Sequence, residues 1–131
     1  MKILLYFLPA TLYYCLLFYF SGRSHDFKVD ILYVDKGIHF LEFAVLAVLL
    51  FFGYSKSLAA KIKVKAFLTF MSAALLAIAD EIHQYFVPGR ESDVLDVAAD
   101  SAGIIFGIFL FWYFTQKGKL KTLVEKDNRR I

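Results

Sequence analysis

The sequence predicts an all-α integral membrane protein, an antiparallel bundle of four transmembrane helices formed by residues 1–131 as a single membrane domain. Three observations predict it. The chain is 60% hydrophobic and 18% aromatic, more apolar than a soluble core of this size could bury. Its apolar residues gather into four runs, each near the roughly 20 residues that cross a bilayer. Most of its Lys and Arg residues fall on one side of a four-span arrangement, as expected for cytoplasmic loops.

The first run, about 3–20, is rich in Tyr and Phe and follows Lys2. A signal peptide has a similar beginning, but this run is long and lacks the small-x-small cleavage pattern. Cys15 follows Tyr13-Tyr14, which does not resemble a lipoprotein cleavage site, and a single cysteine forms no internal disulfide. A retained helix is expected, with a kink at Pro9. A polar connection, Ser21 to Val34, follows; it carries Arg23, His25, Asp26, Lys28 and Asp30.

The second span runs from about 35 to 54. At about 100° per residue, Asp35, Lys36, His39, Glu42 and Phe43 share a third of the helix circumference, while the opposite face is apolar. Polar side chains on one face of a membrane helix belong toward the bundle interior or a water-filled cavity. An interfacial helix start with a snorkelling lysine explains Asp35 and Lys36, but not His39 and Glu42 a turn deeper. The connection from Ser55 to Lys65 is basic, with Lys56, Lys61, Lys63 and Lys65 and no acid.

The third span runs from about 64 to 86. Ser72, Ala73, Ala74, Ala77 and Ala79 permit close helix approach. The last turns place Asp80, Glu81 and Gln84 on one face, with His83 at its edge. Acids near a helix C-terminus oppose the macrodipole, which favours a functional reason for Asp80 and Glu81. His83 and His25 read as ordinary interfacial residues. Pro88-Gly89 breaks the helix. Arg90 is read as a carboxylate partner first and a ligand contact second.

The fourth span runs from about 94 to 115, with Ser92 or Asp93 as its N-cap. Asp93, Asp96, Asp100, Gly103 and Gly107 lie along one stripe. Gly103 and Gly107 form the small-x-x-x-small pattern of close helix packing. Asp96 and Asp100 lie too deep for capping, Asp100 being about 10 Å below Asp93 along the helix axis. The tail, 116–131, is hydrophilic and basic and reads as an interfacial or frayed helix.

The charge distribution places both termini in the cytoplasm of a multi-pass protein of a cytoplasmic membrane. The polar starts of spans two and four and the polar end of span three then meet on the outer side. The residues expected to line a ligand-binding pocket there are Asp35, Lys36, His39, Glu42, Asp80, Glu81, Gln84, Arg90, Asp96 and Asp100. So many carboxylates cannot all stay ionised together in low dielectric. Protonation, a cationic ligand or a divalent cation would relieve them. A divalent cation is the candidate cofactor, with Glu81, Asp96 and Asp100 as candidate metal ligands. If a reaction occurs, His39, Asp80 and Glu81 are the candidate acid/base groups.

Three pieces of this pattern resemble the VanZ-like family of small bacterial membrane proteins, which is associated with resistance to glycopeptides, teicoplanin in particular. They are Asp35-Lys36-x-x-His39-Phe40-x-x-Phe43; Asp80-Glu81-x-x-Gln84-x-x-x-Pro88-Gly89-Arg90; and Asp96-x-x-x-Asp100-x-x-Gly103-x-x-x-Gly107. The family pattern usually has Asn where this chain has Asp100. The resemblance implies a bacterial cell-envelope protein whose partners are membrane lipid and a cell-wall precursor or glycopeptide. It supplies no established reaction. Nucleic acid is not an expected partner, since the basic residues sit at helix ends where topology accounts for them. The alternatives are a membrane enzyme acting on a lipid-linked substrate and, behind it, an ion- or proton-coupled transporter. Four spans without an internal repeat would need a homo-oligomer for the latter.

Overall fold

A computed structural model describes residues 2–23, 34–89 and 93–128. These form four helices: α1 (Lys2–Ser21), α2 (Val34–Ser57), α3 (Ile62–Tyr85) and α4 (Val94–Asn128). Each contains a segment long and apolar enough to cross a membrane, and the described residues contain no strand. The expected fold class is the one observed.

The element boundaries follow local chemistry. α1 runs through Pro9 as one helix, so the proline, whose fixed φ is compatible with a helix, does not divide the element. The basic connection is shorter than the sequence suggested, because α2 continues to Ser57 and α3 begins at Ile62. α3 ends at Tyr85, followed by Phe86 and Val87, whose N–H groups bond to the carbonyls of His83 and Gln84. Gly89 then takes φ 83°, a left-handed backbone that glycine adopts without a Cβ penalty. Asp93 starts α4 as an N-cap, its Oδ1 accepting the Leu95 N–H at 2.9 Å. α4 continues to Asn128, well past its apolar segment, so much of the basic tail is helical.

Consecutive helices run antiparallel. Phe7 of α1 meets Tyr54 of α2, ring centroids 5.0 Å apart, so the start of one helix lies beside the end of the next. α2 is the central helix. It touches α1, α3 and α4, and its contact with α4 is the most extensive in the molecule. Lys36 near the start of α2 reaches Asp93 and Asp96 at the start of α4, so the most closely packed pair is parallel.

Two glycines explain that closeness. A Cβ on Gly103 would stand 2.1 Å from the Phe40 carbonyl oxygen, and one on Gly107 would stand 2.3 Å from that of Ala44. The α4 backbone therefore lies directly against that of α2, as small-x-x-x-small packing requires. Beyond this contact the core is apolar: Phe43, Leu46, Ala47, Leu50, Ala73, Ala77 and Ile104 are buried together. Large apolar side chains such as Leu12, Leu41, Phe67, Leu75, Ile105 and Phe114 face outward, as expected where the solvent is lipid.

Candidate functional site

The helix directions bring the C-terminal ends of α1 and α3 and the N-terminal ends of α2 and α4 to one end of the bundle. The buried polar side chains among the described residues are His39, Thr69, Asp80, Glu81, Gln84, Asp96 and Asp100. All except Thr69 lie at this end, and Thr69 satisfies itself by donating to the Lys65 carbonyl at 2.8 Å. A polar group buried in a bilayer-spanning bundle is costly unless paired. Six at one end therefore require an account of their partners.

Between α2 and α4, Lys36 donates to Asp93 Oδ2 at 2.7 Å and to Asp96 Oδ1. Asp35 lies 3.9 Å from the same ammonium and is exposed. Asp93 lies just ahead of the helix. The Lys36 ammonium, helped by the Leu95 N–H, holds its carboxyl below the ordinary carboxylate range. Deeper, His39 Nδ1 and Asp100 Oδ1 are 3.0 Å apart, both residues buried. Gly103 sets this level: its contact with Phe40 fixes the neighbouring His39 against Asp100, one turn earlier on α4.

α3 closes the cluster from a third side. One donor atom each from His39, Glu81 and Asp100 lie within 4.8 Å of one another, as do one each from Asp35, His39 and Asp96. Both Glu81 oxygens are buried. Asp100 Oδ2 is buried and has no hydrogen-bond partner among the described residues. Glu42, one turn beyond His39 on α2, is half-buried.

Asp80 and Gln84 form a second group, turned toward α1. Gln84 Nε2 donates to Asp80 Oδ2 at 2.8 Å, and Ser21 Oγ donates to Asp80 Oδ1 at 2.6 Å. Two neutral donors thus hold a buried carboxylate. Ser21 also lies 3.4 Å from His83 Nδ1, and the His83 ring stacks on Phe18 with centroids 3.9 Å apart.

The expected residues thus divide. Lys36, His39, Glu81, Asp96 and Asp100 come together from three helices, with Asp35 at the rim. Asp80 is bound to Ser21 of α1, and Gln84 is bound to Asp80. Arg90 and His25 lie outside the described residues. Among the candidate metal ligands, Asp96 is held by Lys36, whereas Glu81 and Asp100 gather with His39. Reading α1 as a plain anchor misses Ser21, the first polar side chain after an 18-residue run of which Thr11 is the sole hydroxyl outside tyrosine. Reading His83 as interfacial misses its contact with α1. Its place at the edge of the Asp80 face was the available signal.

Helix direction assists the acids on α2 and α4. Asp35 and Asp96 sit in first turns, where the positive end of the macrodipole favours them, while Asp80 and Glu81 oppose it near the end of α3. The combined arrangement offers an imidazole, several carboxylates and one lysine. That set suits acid/base exchange, cation binding or recognition of a polar head group.

No curated protein and no solved structure matches the chain. A family model described as VanZ/LLP1 matches residues 6–115. That match takes in the sequence pieces that supply the polar cluster and the glycines that pack α4 against α2. With these observations together, the chain belongs to the VanZ-like family.

Proposed function

We propose that this protein is a bacterial cell-envelope protein of the cytoplasmic membrane that contributes to glycopeptide resistance. In this reading the polar end of the bundle faces outward, both termini are cytoplasmic, and the cluster binds an envelope lipid head group, a cell-wall precursor or the drug. The observation that carries the reading is the gathering of Lys36, His39, Glu81, Asp96 and Asp100 from three helices at one end of an otherwise apolar bundle. A fold needing only stability gains little from buried ions, because apolar residues of similar volume usually do as well. The orientation rests on the excess of Lys and Arg at the opposite end.

Expression in a susceptible bacterium tests it. The wild type raises the minimum inhibitory concentration of teicoplanin, and Asp100→Asn and Glu81→Gln return it to the vector-only value at equal membrane levels. Unchanged resistance in both variants refutes the reading. Native mass spectrometry of gently solubilised protein, wild type beside these variants, identifies any co-purified lipid or precursor.

A second reading is a membrane enzyme acting on a lipid-linked substrate, with His39 as the acid/base group. The 3.0 Å contact between His39 and Asp100 favours it, since a carboxylate at Nδ1 fixes the orientation of an imidazole. A product released from envelope lipids by the wild type and lost in His39→Gln supports this reading. No such product across those lipids refutes it.

A further inference from the structure

We propose that His39, Glu81 and Asp100 form a three-ligand site for a divalent transition-metal ion of the Zn²⁺ or Mn²⁺ type. The proposal deepens the functional reading above and rests on it for the site's role, but not for its geometry.

Geometry supports it first. The three residues come from α2, α3 and α4 and are 3%, 5% and 0% exposed, respectively. Their donor atoms lie within 4.8 Å of one another. Small side-chain rotations bring such a set to the ~3.4 Å spacing of a tetrahedral site with bonds of about 2.1 Å. The frame beneath is rigid, because Gly103 and Gly107 lock α4 onto α2 at and just beyond this level.

Asp100 supplies the independent observation. Its Oδ1 meets His39, but its Oδ2 is buried and has no hydrogen-bond partner among the described residues. An ionised carboxylate leaves such an oxygen unsatisfied only at high cost, and a cation satisfies it directly.

The donor chemistry selects the ion. Imidazole with two carboxylates suits Zn²⁺, Mn²⁺ or Fe²⁺, whereas Ca²⁺ prefers six or more oxygens. The overlapping set of Asp35, His39 and Asp96 is the poorer choice, since Asp35 is exposed and Lys36 already holds Asp96. Three protein ligands leave a coordination position for water or for an oxygen of a bound ligand. A phosphate or carboxylate could then enter a cluster that is otherwise too acidic for it.

The test uses the full chain, purified in mild detergent, stripped with a chelator and titrated with Zn²⁺ alone. The expected result is one tightly held Zn²⁺ per chain by elemental analysis. Asp100→Asn and Glu81→Gln should each weaken binding by ~100-fold, and Asp93→Asn should leave it intact. Should a variant not fold, Co²⁺ in the wild type gives the answer, because imidazole and carboxylate ligation produces visible d–d bands that excess Zn²⁺ abolishes. No stoichiometric metal, or binding indifferent to Asp100→Asn and Glu81→Gln, overturns the site. Teicoplanin susceptibility measured in parallel separates the two claims. Zn²⁺ bound through these residues, with resistance unchanged in the variants, upholds the site and overturns the functional reading. Resistance lost without any metal bound overturns the site and leaves the functional reading standing.

Discussion

Gly103→Ala tests the link between the packed frame and the polar cluster. A Cβ at Gly103 meets the Phe40 carbonyl oxygen at 2.1 Å, the carbonyl carbon at 2.9 Å and Cα at 3.1 Å, all of them backbone atoms. No side-chain rotation relieves that overlap. The helices must part locally by about 1 Å or more to regain ordinary contact. Overpacking of this kind costs roughly 1–3 kcal/mol, set against a helix-propensity gain of up to about 1 kcal/mol for Gly→Ala. Gly37→Ala is the matched control, because a Cβ there meets nothing within 4 Å; it keeps the propensity gain without the clash. The expected difference between the two variants is therefore about 1–3 kcal/mol, the overpacking cost alone. Thermal unfolding of the full chain in one detergent measures it. Parting α2 from α4 also separates His39 from Asp100 and Lys36 from Asp96, so Gly103→Ala should lose the ligand or metal bound at the cluster while Gly37→Ala retains it. Equal shifts of the unfolding temperature in the two alanine variants would refute the close-contact account.

The remaining predictions concern single polar partners. His39→Ala leaves the buried Asp100 carboxylate without its 3.0 Å partner and should cost ~3–5 kcal/mol if the ion pair forms in the unliganded protein. Asp100→Asn, which removes the charge and keeps the shape, should escape that cost, as denaturant titration would show. Ser21→Ala removes one of two donors to buried Asp80 and should cost about 1.5–3 kcal/mol, the range for a hydrogen bond to a charged group; an unchanged unfolding midpoint would deny the α1–α3 contact any energetic role. Asp93 gives a pH dependence. Its folded-state value is depressed from the ordinary 3.8, chiefly by Lys36, so its contribution is fully present above 3.8 and is lost as pH falls through the folded value. Asp93→Asn keeps a good cap but has no carboxyl to titrate. The gap in unfolding temperature between wild type and variant should be flat above the carboxylate range and should close in acid.

Much of this architecture was legible because a bilayer simplifies the code. Apolar runs of sufficient length become helices, since the backbone has no other partner there. The stripe from Asp93 to Gly107 follows directly from helical periodicity, and the structure uses its parts as that stripe suggests, with acids at the mouth and glycines against α2. What periodicity does not reveal is which stripe meets which. Asp80, Glu81 and Gln84 share one face of α3 in sequence, yet Asp80 turns to Ser21 while Glu81 turns to His39. That division depends on the lateral position of α1, whose own sequence is apolar on every side. Nor do short connections announce that α2 and α4, two elements apart and parallel, form the tightest pair. The tail reads as helix from its sequence and is helical to Asn128, although hydropathy by itself marks only where a span stops being apolar.

The separation of the two ends bears on how the cluster should be studied. Phe43, Leu46, Ala47, Leu50, Ala73, Ala77 and Ile104 form a continuous apolar core beyond the level of His39. The Gly103 contact with Phe40 lies next to the polar end, and the Gly107 contact with Ala44 and Ala47 lies within the core. A helix pair held that firmly does not need the carboxylates to define its register, because backbone contact at Gly103 and Gly107 already fixes it. The polar residues add desolvation cost, and α3 adds an unfavourable helix end behind Asp80 and Glu81. Isosteric neutral substitutions such as Asp100→Asn and Glu81→Gln remove much of that cost while preserving shape. If the cluster exists for a ligand, these variants should unfold at or above the wild-type temperature yet lose binding and resistance. If it exists for structure, stability and function should fall together. The sign of the stability change in these two variants thus separates a binding site from a structural charge network.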